Sequence, residues 1–264
     1  MDLAKQLVQV LLFIKMLEDL FSRHERVALM FSGGKDSLAC LYYCQEYLDK
    51  LTVVWVNTGA NFPEIEEATA ELCARVPNFL EVCSNQPSAI ERNGYPTDVL
   101  PVQYTTLGQL HTCSKNILLR SYTDCCNENV WQPAAKAILE YGFTAVIRGQ
   151  RMDEEHKAPI RSGFVENGIE YVFPIEDWGK QQVLEYLEAN GVNTDNRLQI
   201  EHSSLDCWNC TAYCKHSRER MAYIKTNHPE KHREVVALLK QIDNAVTEQM
   251  SGVRALLLEE HHGI

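Results

Sequence analysis

The sequence predicts an α/β fold, a parallel five-stranded sheet with helices on both faces, followed by a helical C-terminal region. Apolar runs of strand length stand at Val27–Phe31, Thr52–Val56, Phe79–Cys83, Thr144–Ile147 and Tyr171–Phe173. Helical patterns lie between or after them at Ser37–Leu48, Pro63–Arg75, Gln132–Tyr141 and Lys180–Asn190, the last stopped by Gly191. Strands alternating with helices build parallel sheets covered on both faces. Toward the C-terminus Val235, Leu238, Leu239, Ile242, Val246, Met250, Val253 and Leu257 form one continuous helical stripe, expected to pack on the core or to pair two copies.

The first element is expected as a helix within residues 1–26. Leu3, Leu7, Val10, Leu11, Ile14, Leu17 and Phe21 fall on one face, polar residues are scattered among the others, and no small-residue cleavage pattern follows, so an amphipathic helix packed on the domain is expected and not an export signal. Residues 27–200 form the nucleotide-binding domain in this reading, and 201–264 carry a cysteine motif and helices of the same domain. Between Gln86 and Ser121 the pattern is weak, with Pro87, Pro96 and Pro101, and irregular structure is expected. No apolar stretch is long enough to cross a membrane.

The 264 residues carry Lys+Arg 25 against Asp+Glu 36, a net charge of −11. That balance lacks the diffuse basic footprint of a nucleic-acid binder. Ten cysteines without an export signal read as thiols and metal ligands in a cytoplasmic protein, not as a disulfide framework. Cys40, Cys44, Cys73 and Cys83 are expected as buried structural thiols. His111, His156 and His202 are assigned no chemistry.

Ser32-Gly33-Gly34-Lys35-Asp36-Ser37 follows the first strand directly. Its glycine pair permits a tight turn, Asp36-Ser37 are candidates to cap the next helix, and a helix N-terminus there presents free N–H groups to an anion. Lys35 adds a point charge. The loop is not the G-x-x-x-x-G-K-[ST] type, because Leu29 stands where the first glycine would be. Asn57-Thr58-Gly59 and Arg148-Gly149-Gln150-Arg151 end two further strands, and ligands of such sheets sit beyond those ends. Arginine there suits phosphate or sulfate oxygens.

Cys125-Cys126 are adjacent, and Cys207-Trp208-Asn209-Cys210 follows far along the chain, with Cys214 and Cys113 as further thiols. A Cys-x-x-Cys turn brings two thiolates to one metal centre and a distant pair can complete it. Adjacent sulfurs diverge, which suits a cluster better than one ion. Zinc and uncoordinated thiols stay open on these residues alone.

Ser32–Ser37 resembles the pyrophosphate loop of the ATP pyrophosphatases. With the cysteine pairs, Gly149-Gln150-Arg151 and Pro174-Ile175-Glu176-Asp177-Trp178, residues 27–210 resemble the iron–sulfur phosphoadenylylsulfate and adenylylsulfate reductases of that superfamily. The resemblance implies an adenine nucleotide alpha hydrolase-like fold and a [4Fe–4S] cluster on Cys125, Cys126, Cys207 and Cys210. It implies ATP with Mg²⁺ at Ser32, Gly33, Gly34, Lys35, Asp36 and Ser37, with Asp36 toward the metal. Asn57, Thr58 and Gly59 would border the adenosine, and Gly149 lies on the same edge. Lys35, Asp36, Arg151 and Arg161 would act on the phosphates.

Two departures bear on the reaction. Within this sequence no cysteine follows Cys214, where the reductases carry a late nucleophile, and Lys35-Asp36 keep the ATP-using form of the loop. The expected activity is therefore ATP-dependent adenylylation of an acceptor with sulfur transfer, the alternatives being a sulfonucleotide reductase or a non-catalytic nucleotide-binding subunit. Expected partners are an adenine nucleotide, an acceptor, a sulfur or electron donor protein, and a second copy through the C-terminal helices.

Overall fold

The computed structural model describes residues 15–113, 115–154, 157–194, 197–200 and 207–261. The expected apolar positions Leu3 to Ile14, and His156 and His202, lie outside the described residues. Residues 15–23 form a helix, α1. The elements that follow are β1 (Val27–Phe31), α2 (Lys35–Tyr43), β2 (Leu51–Asn57), α3 (Pro63–Cys73), β3 (Phe79–Cys83), α4 (Gln86–Asn93), β4 (Tyr95–Thr97) and α5 (Thr106–Thr112). Next come β5 (Leu119–Ser121), α6 (Tyr122–Cys126), α7 (Gln132–Glu140), β6 (Ala145–Ile147), β7 (Phe164–Glu166), β8 (Ile169–Val172), α8 (Lys180–Ala189), α9 (Arg218–Asn227) and α10 (Pro229–His261).

The chain divides into two compact units, Met1–Asn57 with Phe62–Cys83 and Ala134–Ser204, and Thr58–Asn61 with Ser84–Pro133 and Leu205–Ile264. Ser84–Pro133 groups with the C-terminal segment in the second unit.

The first unit holds a six-stranded sheet in the order β3-β2-β1-β6-β8-β7. All five expected strands are present and mutually parallel, paired β1 with β2 and β6, β2 with β3, and β6 with β8. The sixth strand, β7, runs antiparallel to β8. Its three residues are all exposed, so it has no apolar pattern to announce it. Its signal is the turn: Asn167 and Gly168 both have positive φ, at 52° and 78°, as a two-residue hairpin requires.

Alternation divides the sheet into two apolar faces. On one, Ala28, Val54, Val146 and Ile169 pack with Ile138 of α7 and Phe143. On the other, Leu29, Val53 and Ile147 are fully buried, and α2 packs on β1 and α8. There Tyr43, Trp178 and Tyr186 meet edge to face with centroids 5.2 to 5.7 Å apart. Cys40 and Cys44 are buried as expected, but Cys73 and Cys83 are exposed. Cys83 ends an edge strand and Cys73 lies on the solvent side of α3, so neither is covered.

The second unit corrects the expectation of irregular structure between Gln86 and Ser121. That stretch forms α4, a short parallel pair β4-β5, and α5. Pro87 opens α4 instead of breaking a chain, since the missing N–H is one a first turn leaves unpaired, and the Asn85 side chain accepts from Ser88 N at 3.0 Å. Tyr104, Leu119, Ile242 and Ala245 form this unit's core.

Among the described residues, no helix is long and apolar enough to cross a membrane.

Candidate functional site

The strand order reverses direction between β1 and β6, the position at which ligands of open α/β sheets bind. The loop after β1 is Ser32–Gly34, and the segment after β6 begins at Arg148. In the first loop Gly33 has φ +76°, and a Cβ there would stand 2.9 Å from Ile65 Cδ1. Gly34 is the residue that caps α2, with no side-chain bond. Asp36 and Ser37 therefore do not cap the helix but lie in its first turn. Ser37 Oγ donates to Gly34 O at 3.0 Å, accepts from Ser32 N at 3.2 Å and lies 3.2 Å from Ser32 Oγ, so one hydroxyl closes the loop.

Gly149 abuts this loop. A Cβ at Gly149 would lie 2.6 Å from Asp36 C, 2.7 Å from Asp36 O and 2.8 Å from Ser37 N, a backbone approach that only glycine allows. Lys35, 9 % exposed, donates to Asp36 Oδ2 at 2.8 Å. Arg151, 4 % exposed, places Nε 2.9 Å from Asp36 Oδ1. The N–H is not aimed at that oxygen, and both atoms are buried without a hydrogen bond among the described residues. Such a group costs about 1–3 kcal/mol, which an arriving cation or anion would recover.

Arg151 also donates to Asp153 at 3.1 Å, and its backbone N–H donates to Glu154 Oε2 at 3.0 Å. Burial raises the Glu154 carboxyl above its ordinary value, with the Asp36 charge adding to the effect. Arg161 lies nearer solvent, its Nε 2.7 Å from Glu176 and its Nη2 3.3 Å from Asp177. Asn57 donates to Glu81 at 2.7 Å. Gln150, which spacing did not single out, pins the next loop by donating to Ala158 O and Ile160 O and accepting from Ala158 N.

Thr58 and Gly59 belong to the second unit, where Cys125, Cys126, Cys207 and Cys210 also lie. Thr58, 2 % exposed, has Oγ1 3.4 Å from Cys207 Sγ. Asn129 Nδ2 is 3.9 Å from Cys125 Sγ, and Tyr213 OH is 3.9 Å from Cys126 Sγ. Burial pushes the Cys125 thiol up to about 11, against the pull of Arg120, and the charge of Cys210 adds to the rise. None of the ten cysteines is in a disulfide. Among the described residues no three His, Cys, Asp or Glu side chains converge as they would on a single metal ion.

The Cys-x-x-Cys turn is held by groups outside it. Arg220, 4 % exposed, donates to the carbonyls of Cys207 at 2.7 Å, Trp208 at 3.0 Å and Cys210 at 3.1 Å. Gln86 and Asn209 exchange side-chain amide hydrogen bonds at 2.9 and 3.0 Å. Asp98 accepts from Tyr213 N and Cys214 N. No spacing rule marks Arg220, Gln86 or Asp98: Gln86 and Asp98 act on a segment more than 100 residues away, and Arg220 acts on backbone carbonyls, which any sequence supplies.

The sheet order, the loop closed by Ser37 and the glycine contact at Gly149 define an α/β protein with a glycine-rich loop at its topological switch point. The chain belongs to the phosphoadenosine phosphosulfate reductase domain family, which it matches over residues 26–213. It is 24% identical over 194 residues to adenosine 5'-phosphosulfate reductase of Mesorhizobium japonicum, covering 71% of this chain and 67% of the relative. It is 25% identical over 201 residues to phosphoadenosine 5'-phosphosulfate reductase of Photorhabdus laumondii, covering 72% of this chain and 76% of the relative. An uncharacterized protein of Methanocaldococcus jannaschii is 23% identical over 218 residues, covering 80% of this chain, and the chain spans 47% of that relative's length.

Proposed function

We propose that this protein binds ATP with Mg²⁺ at Ser32–Ser37, releases pyrophosphate by adenylylating an acceptor and supports sulfur transfer to it. The observation that carries the reading is the loop: its backbone approach to Gly149 is closed, while Asp36 and Arg151 keep polar atoms without hydrogen bonds. The acceptor oxygen attacks the α-phosphorus, the bond to the β-phosphate oxygen breaks, and pyrophosphate leaves with its charge on the loop N–H groups and Lys35. Asp36 would hold Mg²⁺, and Arg151 keeps the Asp36 carboxylate in place. Little covalent work falls to the protein, so positioning and charge supply the rate.

Cys125, Cys126, Cys207 and Cys210 would hold a [4Fe–4S] cluster. The thiol donor set, the hydroxyl and amide groups near three of the sulfurs and the carbonyls bound by Arg220 fit such a group. When bound, it would supply sulfur-carrying or electrostatic chemistry.

A sulfonucleotide reductase is the second reading, favoured by the two named reductases among the relatives. Anaerobic purification with iron and sulfide analysis, followed by parallel assays, separates the two. Pyrophosphate release from ATP is expected, with acceptor fractions supplied. Sulfite release from a sulfonucleotide without any pyrophosphate release would overturn the reading. Cys207→Ser is expected to lose most of the bound iron, and iron content equal to that of the unaltered protein would remove the cluster assignment.

A further inference from the structure

We propose that Arg148 binds an oxyanion of the substrate, a phosphate or sulfate group held beyond the end of β6. This rests on the nucleotide reading of the Ser32–Ser37 loop. The cations around that loop are already engaged. Lys35 is bound to Asp36, Arg151 to Asp36 and Asp153, and Arg161 to Glu176 and Asp177. Lys157 donates to Met152 O and Glu154 O, and Arg197 donates to Gly33 O at 2.8 Å. The Arg148 guanidinium makes no hydrogen bond or ion pair among the described residues.

Its position is fixed although its head is unmatched. The Arg148 backbone N–H donates to Val172 O at 3.0 Å, and the next residue is the glycine pressed on Asp36. Register sets Ile147 opposite Leu29 and Val172, so Arg148 stands beside Met30 on the face that carries Ala28 and Val146. By accessible surface Arg148 is exposed, yet the surrounding protein lowers its pKa from the ordinary value through burial. Tyr171 and Glu154 act on it at a distance, and Glu154 is already bonded to the Arg151 backbone.

A guanidinium offers a planar fork of donors that matches two oxygens of a tetrahedral anion. Without a carboxylate bonded to it, it gains more from such an anion than an arginine already in an ion pair would. Two sources share the chemistry: the phosphates of the nucleotide, and an oxyanion on the second substrate.

The test is calorimetric titration of the full chain, unaltered and as Arg148→Gln and Arg148→Lys, with Mg²⁺-ATP, pyrophosphate and inorganic sulfate. Arg148→Gln should weaken the binding roughly ten- to hundredfold, the loss expected for one charge-assisted contact, and Arg148→Lys less. Unliganded melting should move little, since no hydrogen bond or ion pair of the Arg148 side chain is removed. Loss toward ATP and pyrophosphate assigns Arg148 to the nucleotide, and loss toward sulfate alone assigns it to the second substrate. Unchanged binding of all three in Arg148→Gln, or no binding of any by the unaltered chain, overturns the proposal. Failure of the unaltered chain to bind ATP, with sulfate affinity that depends on Arg148, defeats the ATP reading and leaves this one standing.

Discussion

Gly149 shows how much of a site can rest on one missing side chain. Its Cα is so close to the Asp36 carbonyl and Ser37 N that a methyl group would displace backbone, not a flexible side-chain tip. Gly149→Ala is expected to lower stability by about 1–3 kcal/mol, the usual range for forced overpacking, and to weaken nucleotide binding more than tenfold. Urea midpoints and ATP titration check it, and a variant equal to the parent in both would show that the loop yields easily. The sequence reading put this glycine on the site edge from its place after a strand. The contact that makes it necessary joins residues from separate strand ends, and no local pattern contains it. Ser37 is similar: its position in the motif was legible, its role as the loop's closing hydroxyl was not.

Elements declared themselves in proportion to their apolar content. Five strands with buried or half-buried apolar residues were legible, whereas β7 was not, because both sides of it face solvent. Helix α4 was hidden by Pro87, which marks a break in mid-helix and a start in a first turn. Where α1 meets the sheet, Glu170 of β8 accepts from Arg23 and His24. The Arg23 hydrogen bond, and then that of His24, hold the Glu170 carboxyl below its ordinary value against the opposing effect of burial. A depressed carboxylate contributes stability that is complete above the unfolded value, about 4.3, and is lost as pH falls through the folded value. Arg23 is half exposed, so Glu170→Gln should cost only about 0.5–1 kcal/mol at pH 7. Urea midpoints of parent and variant should draw together below about pH 4.3, and a gap that widens with acid would contradict the assignment.

At the scale of the whole molecule, α10 runs 33 residues, and its two halves behave differently. Val235, Ile242 and Ala245 are buried within the second unit, but residues 247 to 258 are all exposed. Met250, Val253 and Leu257 continue the same stripe into solvent. Such a stretch is marginal as a lone helix, and an apolar face is what normally sustains one. We propose that a second copy covers it, since the stripe from Met250 to Leu258 carries Arg254 as its single charge and self-pairing meets little repulsion. Val253→Glu with Leu257→Glu should shift sedimentation equilibrium toward monomer, and a parent that is monomeric at every concentration would sink the idea. By itself the sequence determined the α/β class, the five parallel strands, the glycine-rich loop after the first of them and the spacing of the cysteines, because periodicity and short motifs are local. Only the tertiary structure decided that Ser84–Pro133 packs with the cysteine turn, that Arg220 holds that turn, and that Arg148 is left unmatched while its neighbours are paired. Those outcomes depend on which distant groups share a small volume, and burial then sets how strongly each charge must be answered.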